Sequence, residues 1–157
     1  MQEPFNEVIA SKILNELSIR CVNYELKRTI KGIPYCECEC ASDNEMEYIN
    51  ARYIFNMEHI NRKDQYQHYI DICESQGLFN IKKDVDDMLS IDLLIGNVDR
   101  HSGNFGILRN YETLEWVKTF PIFDNGNSLF HDMANSDIDS FGIVQQINPS
   151  DTATDLV

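Results

Sequence analysis

Basic residues are scarce in this chain of 157 residues, which carries 13 lysines and arginines against 26 aspartates and glutamates. The formal net charge is −13 at pH 7, and no lysine or arginine follows Lys118. Proteins that bind DNA or RNA neutralise phosphates with cations. The charge balance therefore argues against direct binding of nucleic acid, and the acidic C-terminal part is expected to be solvated.

Long apolar runs are also missing. No stretch approaches the roughly 20 residues that a membrane helix needs. The start of the chain, MQEPFNEVIA, contains neither the basic nor the apolar segment of a secretory signal. We therefore expect a cytoplasmic protein without a membrane partner. With 43% hydrophobic and 10% aromatic residues, the composition is that of a globular protein, and the length predicts a single domain.

The five cysteines lack the spacing of a metal site or of a disulfide framework. Cys36, Cys38 and Cys40 alternate with glutamates in YCECEC, and this period of two predicts a β-strand with the thiols on one face. Zinc sites use a wider spacing and a second pair of ligands. We expect the thiols to pack as small buried apolar residues, and any further role for them stays open.

Hydrophobic periodicity predicts an α+β fold. Asn6 is expected to cap a first helix that ends at about Ser18. The segments VNYELKRTI and IPYCECEC, separated by Lys31-Gly32, predict a hairpin, and FGILRN and LEWVKTFPIFD predict two short strands later in the chain. Helical spacing of apolar residues predicts three more helices, over residues 45–59, 64–75 and 84–95.

The segment GNVDRHSGNFG, residues 96–106, places polar side chains directly after the apolar run LLIG. Phosphoryl transfer from a nucleotide requires a carboxylate that orients the attacking hydroxyl, together with oxygen ligands for Mg²⁺. Asp99 and Asn104 have the spacing D-x-x-x-x-N, and Asp124 follows in PIFDNG after two β segments that would fold it back beside Asn104. Alternatively, Asp99 and Asn104 are turn residues whose side chains cap backbone groups.

The run DLLIGNVDRHSGNFGILRN, followed by PIFDNGNSLF, resembles the catalytic core of HipA-like serine/threonine protein kinases. Those bacterial kinases have a two-lobed protein-kinase-like fold and are often the toxin half of toxin–antitoxin pairs. Phosphatidylinositol kinases share the D-R-H-x-x-N and Asp-x-Gly pattern, so the resemblance extends to the superfamily. The ending PIFDNG and the segment FNEVIASKILNELSI favour the HipA-like branch.

The resemblance, which covers about residues 4–135, implies ATP and Mg²⁺ as cofactors. It implies that Asp99 is the catalytic base, that Asn104 and Asp124 are the Mg²⁺ ligands, and that His101 lies near the transferring phosphate. It further implies that Arg100 braces the loop, and that Asn125 is structural.

The resemblance also implies roles for two other parts of the chain. Glu39, Cys40 and Ala41 would form the hinge that meets the adenine of ATP. Glu7 would match the helix glutamate that pairs with a phosphate-binding lysine, but its position favours an exposed glutamate in the first turn of a helix.

The part of a kinase that clamps the phosphates has no match in the sequence. No G-x-G-x-x-G or G-x-x-x-x-G-K occurs, and the early lysines do not match the expected strand lysine. We therefore expect a kinase-like fold with a mostly helical C-lobe, a small β element that carries the catalytic loops, and a truncated N-lobe. The domain is expected to span 1–157, with the N-lobe helix, hairpin and hinge at about 4–43, the C-lobe at 44–135 and a polar tail at 136–157.

The expected function is ATP- and Mg²⁺-dependent phosphoryl transfer to serine or threonine, weak or incomplete in this chain alone. Expected partners are a protein substrate or an antitoxin-like protein, and a missing N-lobe or second subunit that completes the site. Two alternatives stay open: a non-catalytic interaction or regulatory remnant of a toxin–antitoxin kinase, and a small-molecule or lipid kinase of the same superfamily. The net charge of −13 argues against a lipid substrate.

Overall fold

The computed structural model describes residues 2–57 and 64–131, so the expected polar tail lies outside the described residues. Within them the chain forms four helices and two antiparallel sheets, one of two strands and one of three, in agreement with the predicted α+β class. The division into lobes stays a prediction. The elements are α1 (Glu3–Glu16), β1 (Tyr24–Arg28), β2 (Pro34–Cys38), β3 (Met46–Asn50), α2 (Ala51–Met57), α3 (Gln65–Ser75), α4 (Ile81–Ile95), β4 (Gly106–Asn110) and β5 (Trp116–Thr119).

Helix α1 begins earlier than the sequence predicted. Gln2 precedes it, and Pro4 lies in the first turn, where a missing backbone N–H has no cost to the helix. Asn6, the expected N-cap, lies inside the helix and is buried. The prediction was wrong because the Asn6 side chain bonds to a distant loop and not to its own helix.

Strands β1 and β2 form the predicted hairpin, with Tyr24 opposite Cys38. Gly32 in the turn has a φ of +79°, a conformation that favours glycine. The prediction that the thiols are buried was wrong: Cys36 is only half-buried, and Cys38 and Cys40 are exposed. The two-stranded sheet explains this, because α1 packs against it and no third strand extends it within the described residues.

The segment predicted as one helix over residues 45–59 is instead strand β3 followed by the short helix α2. Strand β3 pairs antiparallel with β4, from Met46 opposite Asn110 to Asn50 opposite Gly106, and β5 lies on the other side of β4. The apolar residues of β3 have helical spacing, but pairing with a strand from far along the chain decides their conformation.

Helices α3 and α4 agree closely with the predicted spans. Asp64 caps α3 by accepting a hydrogen bond from the backbone N–H of Gln67 at 3.1 Å. Helix α4 ends at Gly96, which has the left-handed conformation common at helix C-termini. All four helices contribute to one hydrophobic core, together with Ile107 of β4 and Trp116 of β5. None of the helices in the described ranges has the length and apolarity required to cross a membrane.

Candidate active site

The loop 97–104 leaves the C-terminal end of α4 and folds into a tight turn. The N–H of His101 donates to the carbonyl of Asp99 at 2.9 Å, and the N–H of Asn104 donates to the carbonyl of His101 at 2.8 Å. The side-chain Nδ2 of Asn104 also donates to the Asp99 carbonyl, at 3.2 Å. The structure thus brings together Asp99 and Asn104, the candidate base and one candidate metal ligand.

The carboxylate of Asp99 is exposed and is held by one side chain. Its Oδ2 accepts a hydrogen bond from Nδ2 of Asn127 at 2.9 Å. Asn127 lies three positions after Asp124, so this contact ties the candidate base to the segment that carries the second candidate metal ligand. Sequence reasoning missed Asn127, whose position after the Asp-x-Gly pattern was the only available signal.

Arg100 is a buried clamp between three parts of the chain, with a side chain that is 7% exposed. Its Nε and Nη2 donate to the two carboxylate oxygens of Asp92 in α4, each at 2.9 Å. Its Nη1 donates to the carbonyls of Asn104 and Phe123, and Nη2 also donates to Oδ1 of Asn125 at 2.7 Å. These contacts show the expected bracing, and they make the backbone of Asn104 a neighbour of the residue before Asp124.

The segment 124–130 combines an exposed acid with a buried turn. Asp124 is exposed and has a φ of +57°, and Leu129 and Phe130 are also left-handed, with φ of +52° and +59°. Asn125 is buried, as expected of a structural residue, and its carbonyl accepts from the Ser128 hydroxyl at 2.6 Å. The buried turn fixes the backbone from which the Asp124 carboxylate projects to the surface.

Two neighbouring residues of α1 fasten this segment. Nδ2 of Asn6 donates to the carbonyls of Gly126 and Ser128, at 3.0 and 2.7 Å. Oε1 of Glu7 accepts from the Gly126 N–H at 3.0 Å. Glu7 is 8% exposed, so the reading as an exposed first-turn glutamate was wrong. No local signal predicted these bonds of Asn6, which was expected to cap α1.

The second carboxylate oxygen of Glu7 is a buried polar atom without a hydrogen-bond partner within the described residues. Burial raises the pKa of Glu7, and the nearby charge of Asp124 raises it further, while the backbone N–H of Asn125 opposes the shift. A buried carboxylate oxygen with no donor is costly. This atom is therefore a candidate position for a cation or a donor from elsewhere.

His101 lies on the outer surface of the loop. Its Nδ1 accepts a hydrogen bond from the N–H of Gly103 at 3.0 Å, and the ring folds closely against that glycine. A Cβ atom at position 103 would lie only 2.9 Å from Cε1 of the imidazole. The missing side chain of Gly103 is what allows this position of the ring.

The expected hinge residues follow strand β2 and lie apart from the loop. Glu39, Cys40 and Ala41 line an open cleft of about 550 Å³, together with the segment 21–23 and Pro121. Pro121 lies three positions before Asp124, so the cleft reaches the segment after β5 that leads to the candidate metal ligand. The Cys40 thiol lies 3.2 Å from the Ser42 hydroxyl, a hydrogen bond that lowers the pKa of Cys40. The adenine-binding role of these residues stays a prediction.

The donor set fits a magnesium ion that is bound partly by its substrate. In the described part of the chain, no group of three or more His, Cys, Asp and Glu side chains can hold a metal ion by itself. Mg²⁺ in nucleotide enzymes is typically held by one or two carboxylates and by substrate phosphates. Since Nδ2 of Asn104 is engaged as a donor, its amide oxygen is the atom that a cation would contact, beside Asp124.

Comparison with known proteins supports the resemblance to protein kinases. No family model matches the chain. The serine/threonine-protein kinase CtkA of Helicobacter pylori is 28% identical over 133 residues, which cover 80% of this chain and 40% of that protein. The crystal structure of the H. pylori proinflammatory kinase CtkA matches with a TM-score of 0.76 and 25% identity, covering 90% of this chain and 56% of the other.

These matches confirm the predicted resemblance to HipA-like serine/threonine kinases, and the chain is a homologue of CtkA with a kinase-like structure. It spans 40% of the length of the curated relative and 56% of the solved chain.

Proposed function

We propose that this chain carries the catalytic loop and the metal loop of an ATP- and Mg²⁺-dependent serine/threonine protein kinase. The observation that carries the proposal is the Arg100 guanidinium, which bonds at once to Asp92 of α4, to the carbonyl of Asn104 and to the carbonyl of Phe123. This clamp holds the loop of Asp99 beside the segment of Asp124. Homology to a serine/threonine-protein kinase, together with the net charge of −13, favours a protein acceptor over a lipid.

In this proposal Asp99 accepts the proton of the acceptor hydroxyl. A general base must come within about 2.6–3.2 Å of the group that it deprotonates. Oδ2 of Asp99 is occupied by the Asn127 amide, which fixes the orientation of the carboxylate, while the side chain remains exposed. The carboxylate can therefore receive a hydroxyl from solvent without rearrangement of the loop.

Asn104 and Asp124 are the proposed metal ligands. Bound Mg²⁺–ATP would supply the phosphoryl group and neutralise its charge. Asn104 is 6% exposed, and the hydrogen bond from its Nδ2 to the Asp99 carbonyl orients its amide oxygen. Asp124 gains its position from the buried turn that follows it, which Asn6 and Glu7 fasten to α1.

Glu7 supports a further part of the proposal. Its buried Oε2 has no donor in the described ranges, and no hydrogen bond or ion pair joins Glu7 to a lysine there. A phosphate-binding lysine from an N-lobe strand or from a second subunit would satisfy this oxygen. The cleft lined by Glu39, Cys40 and Ala41 is the proposed adenine site. Completion of the site from outside these residues explains why we expect weak activity from this chain alone.

ATP binding measured by calorimetry, with and without Mg²⁺, tests the metal assignment. The wild type should give a Mg²⁺-dependent binding heat that Asp124→Asn loses. The control Asp87→Asn removes a carboxylate from a surface pair with Lys83 and should retain the signal. Mg²⁺-dependent binding that persists unchanged in Asp124→Asn would contradict the metal assignment.

The catalytic base requires a separate measurement. Asp99→Asn should retain nucleotide binding and should lower phosphoryl transfer by about 10²- to 10⁴-fold, the usual contribution of a general base. An Asp99→Asn variant that transfers phosphate at the wild-type rate would refute its role.

A second candidate function is a non-catalytic interaction module that keeps the kinase fold. The sequence favours this alternative by its lack of a G-x-G-x-x-G or G-x-x-x-x-G-K segment and of a matching strand lysine, the parts that clamp the phosphates in a kinase. Absence of ATP binding by both the wild type and Asp124→Asn would support the module over the kinase.

A further inference from the structure

We propose that Arg52 and His101 form an anion subsite beside the acceptor position, and that it selects acceptor peptides with a carboxylate next to the serine or threonine. This inference rests on the proposed kinase function. The first observation concerns the atoms that surround Gly103. A Cβ atom built there would lie 2.9 Å from Cε1 of His101 and 4.0 Å from Nη2 of Arg52. The imidazole of His101 and the guanidinium of Arg52 thus both lie close to Gly103.

Arg52 is fastened to the catalytic loop by its backbone. Its N–H donates to the carbonyl of Ser102 at 3.0 Å, and the N–H of Ala51 donates to the carbonyl of Phe105 at 2.8 Å. The start of α2 therefore runs along the loop, and Arg52 keeps its position relative to Asp99. Local backbone contacts of this kind place a side chain more reproducibly than a mobile loop does.

The guanidinium of Arg52 has no hydrogen-bond or ion-pair partner among the described residues. In residues 2–57 and 64–131, the other arginines all donate side-chain hydrogen bonds, whereas Arg52 is exposed and its side chain has neither a hydrogen bond nor an ion pair. In a chain with 26 acidic residues, a cation without a carboxylate partner beside the candidate base is available for a ligand.

His101 supplies a second donor. Because its Nδ1 accepts from the N–H of Gly103, the ring hydrogen belongs to Nε2. The residue is exposed, and no acceptor for this N–H is found within the described residues. An arginine fork and an imidazole N–H form a donor set suited to a carboxylate, and Arg binds carboxylates with two parallel hydrogen bonds.

The position of the pair favours the acceptor over the nucleotide. The Arg100 side chain points into the protein, towards Phe123 and Asn125, whereas the next residue, His101, is exposed. Under the proposed function the phosphates lie with Asn104 and Asp124, in the two segments whose backbone Arg100 braces. The outer side of the loop is left for the acceptor, so this inference assigns His101 to the acceptor and not to the transferring phosphate, the role that the resemblance implies. An acidic peptide also needs a local cation here, because the net charge of −13 repels it elsewhere.

The test uses two serine peptides that differ only in a glutamate or a glutamine next to the acceptor. The wild type should show a KM for the glutamate peptide that is roughly 2- to 5-fold lower, the range for an exposed charge pair. Arg52→Ala should raise the KM for the glutamate peptide to that of the glutamine peptide, and Arg52→Lys should keep part of the preference. Lys31→Ala, which removes an exposed charge in the distant β1–β2 turn, should keep all of it.

Two results would overturn the inference. One is an equal KM for both peptides in the wild type. The other is a rise in the KM for ATP in Arg52→Ala without a change in peptide preference, which would place the nucleotide phosphate at this pair.

A binding measurement separates this inference from the kinase proposal. Peptides with alanine in place of the acceptor serine cannot react, and their affinities can be compared by fluorescence anisotropy. A glutamate preference that Arg52→Ala abolishes supports the subsite even if phosphoryl transfer is never observed. Equal affinities of the two unreactive peptides refute the subsite even if the chain proves to be a kinase.

Discussion

The backbone N–H of Gly126 donates a hydrogen bond to Oε1 of Glu7 at 3.0 Å, although 119 positions separate the two residues. The adjacent Asn6 binds the carbonyls of Gly126 and Ser128. The first helix of the chain thus fixes the segment that carries Asp124. Substitutions in α1 that break these bonds should therefore alter the position of Asp124 at the candidate metal site.

The stability difference between the wild type and Glu7→Gln should depend on pH. Burial raises the pKa of Glu7 above its usual 4.5, so the folded state binds a proton that the unfolded state releases. The wild type is then most stable, relative to Glu7→Gln, below pH 4.5, and it loses this contribution as the pH rises through the folded-state pKa. Urea unfolding of both proteins across this range measures the effect.

Glu16→Gln is the matched control for Glu7→Gln, because Glu16 lies in the same helix and is exposed. Its stability difference from the wild type should change much less with pH. A Glu7→Gln difference that stays constant from acid to neutral pH would contradict the proposed effect of burial on this carboxyl.

Arg100→Ala should lower the free energy of unfolding by about 3–5 kcal/mol, because it leaves the buried carboxylate of Asp92 without its partner. Arg100→Lys should recover only part of this, since an ammonium cannot reproduce the planar fork. As a control, Arg109→Ala breaks a half-exposed pair with Glu47 and should cost about 1 kcal/mol or less. Chemical denaturation measures both variants. Equal decreases in the free energy of unfolding for Arg100→Ala and Arg109→Ala would contradict the larger contribution expected from the buried Arg100–Asp92 pair.

Gly106→Ala and Gly103→Ala should have different effects although both add one methyl group. A Cβ at position 106 would lie 2.1 Å from the carbonyl oxygen of Ile49, which belongs to the backbone of the paired strand β3. Gly106→Ala should therefore lower the free energy of unfolding by about 1–3 kcal/mol or more. At position 103 the nearest atoms belong to the exposed His101 ring, which can rotate away. Thermal unfolding should show a clearly lower Tm for Gly106→Ala than for Gly103→Ala.

The parts of the site that could be predicted from sequence are those encoded by short spacing. Asp99, Asn104 and the later Asp124 formed a recognisable pattern, and the end of α4 at Gly96 followed from local signals. The hairpin was also predictable, because alternation and a Lys-Gly turn are local features. The chemistry of each residue still awaits the measurements above.

The rest depends on contacts between distant parts of the chain. Strand β3 was predicted as a helix because its partner β4 begins only at Gly106, far along the chain. No local signal near Met46 predicts that pairing. The bonds of Asn6 and Asn127 likewise depend on the folded position of the segment 124–130. Cys36 and Cys38 alternate along β2 as predicted but lack the predicted burial, because alternation does not tell how well a sheet face is covered. Cys40, predicted in the same strand, lies beyond its end.

The left-handed backbone at Leu129 and Phe130 means that this part of the molecule stores elastic energy. An aspartate adopts that conformation readily, but for residues such as Leu129 and Phe130 it costs roughly 1–2 kcal/mol each. The bond from the Leu129 N–H to the carbonyl of Ile95, at 2.8 Å, and the bonds from Asn6 hold the segment in place. A substitution of Asn6 that removes its bonds would let the segment relax and would shift the Asp124 carboxylate, while Ala10 and Leu14 keep α1 in the core.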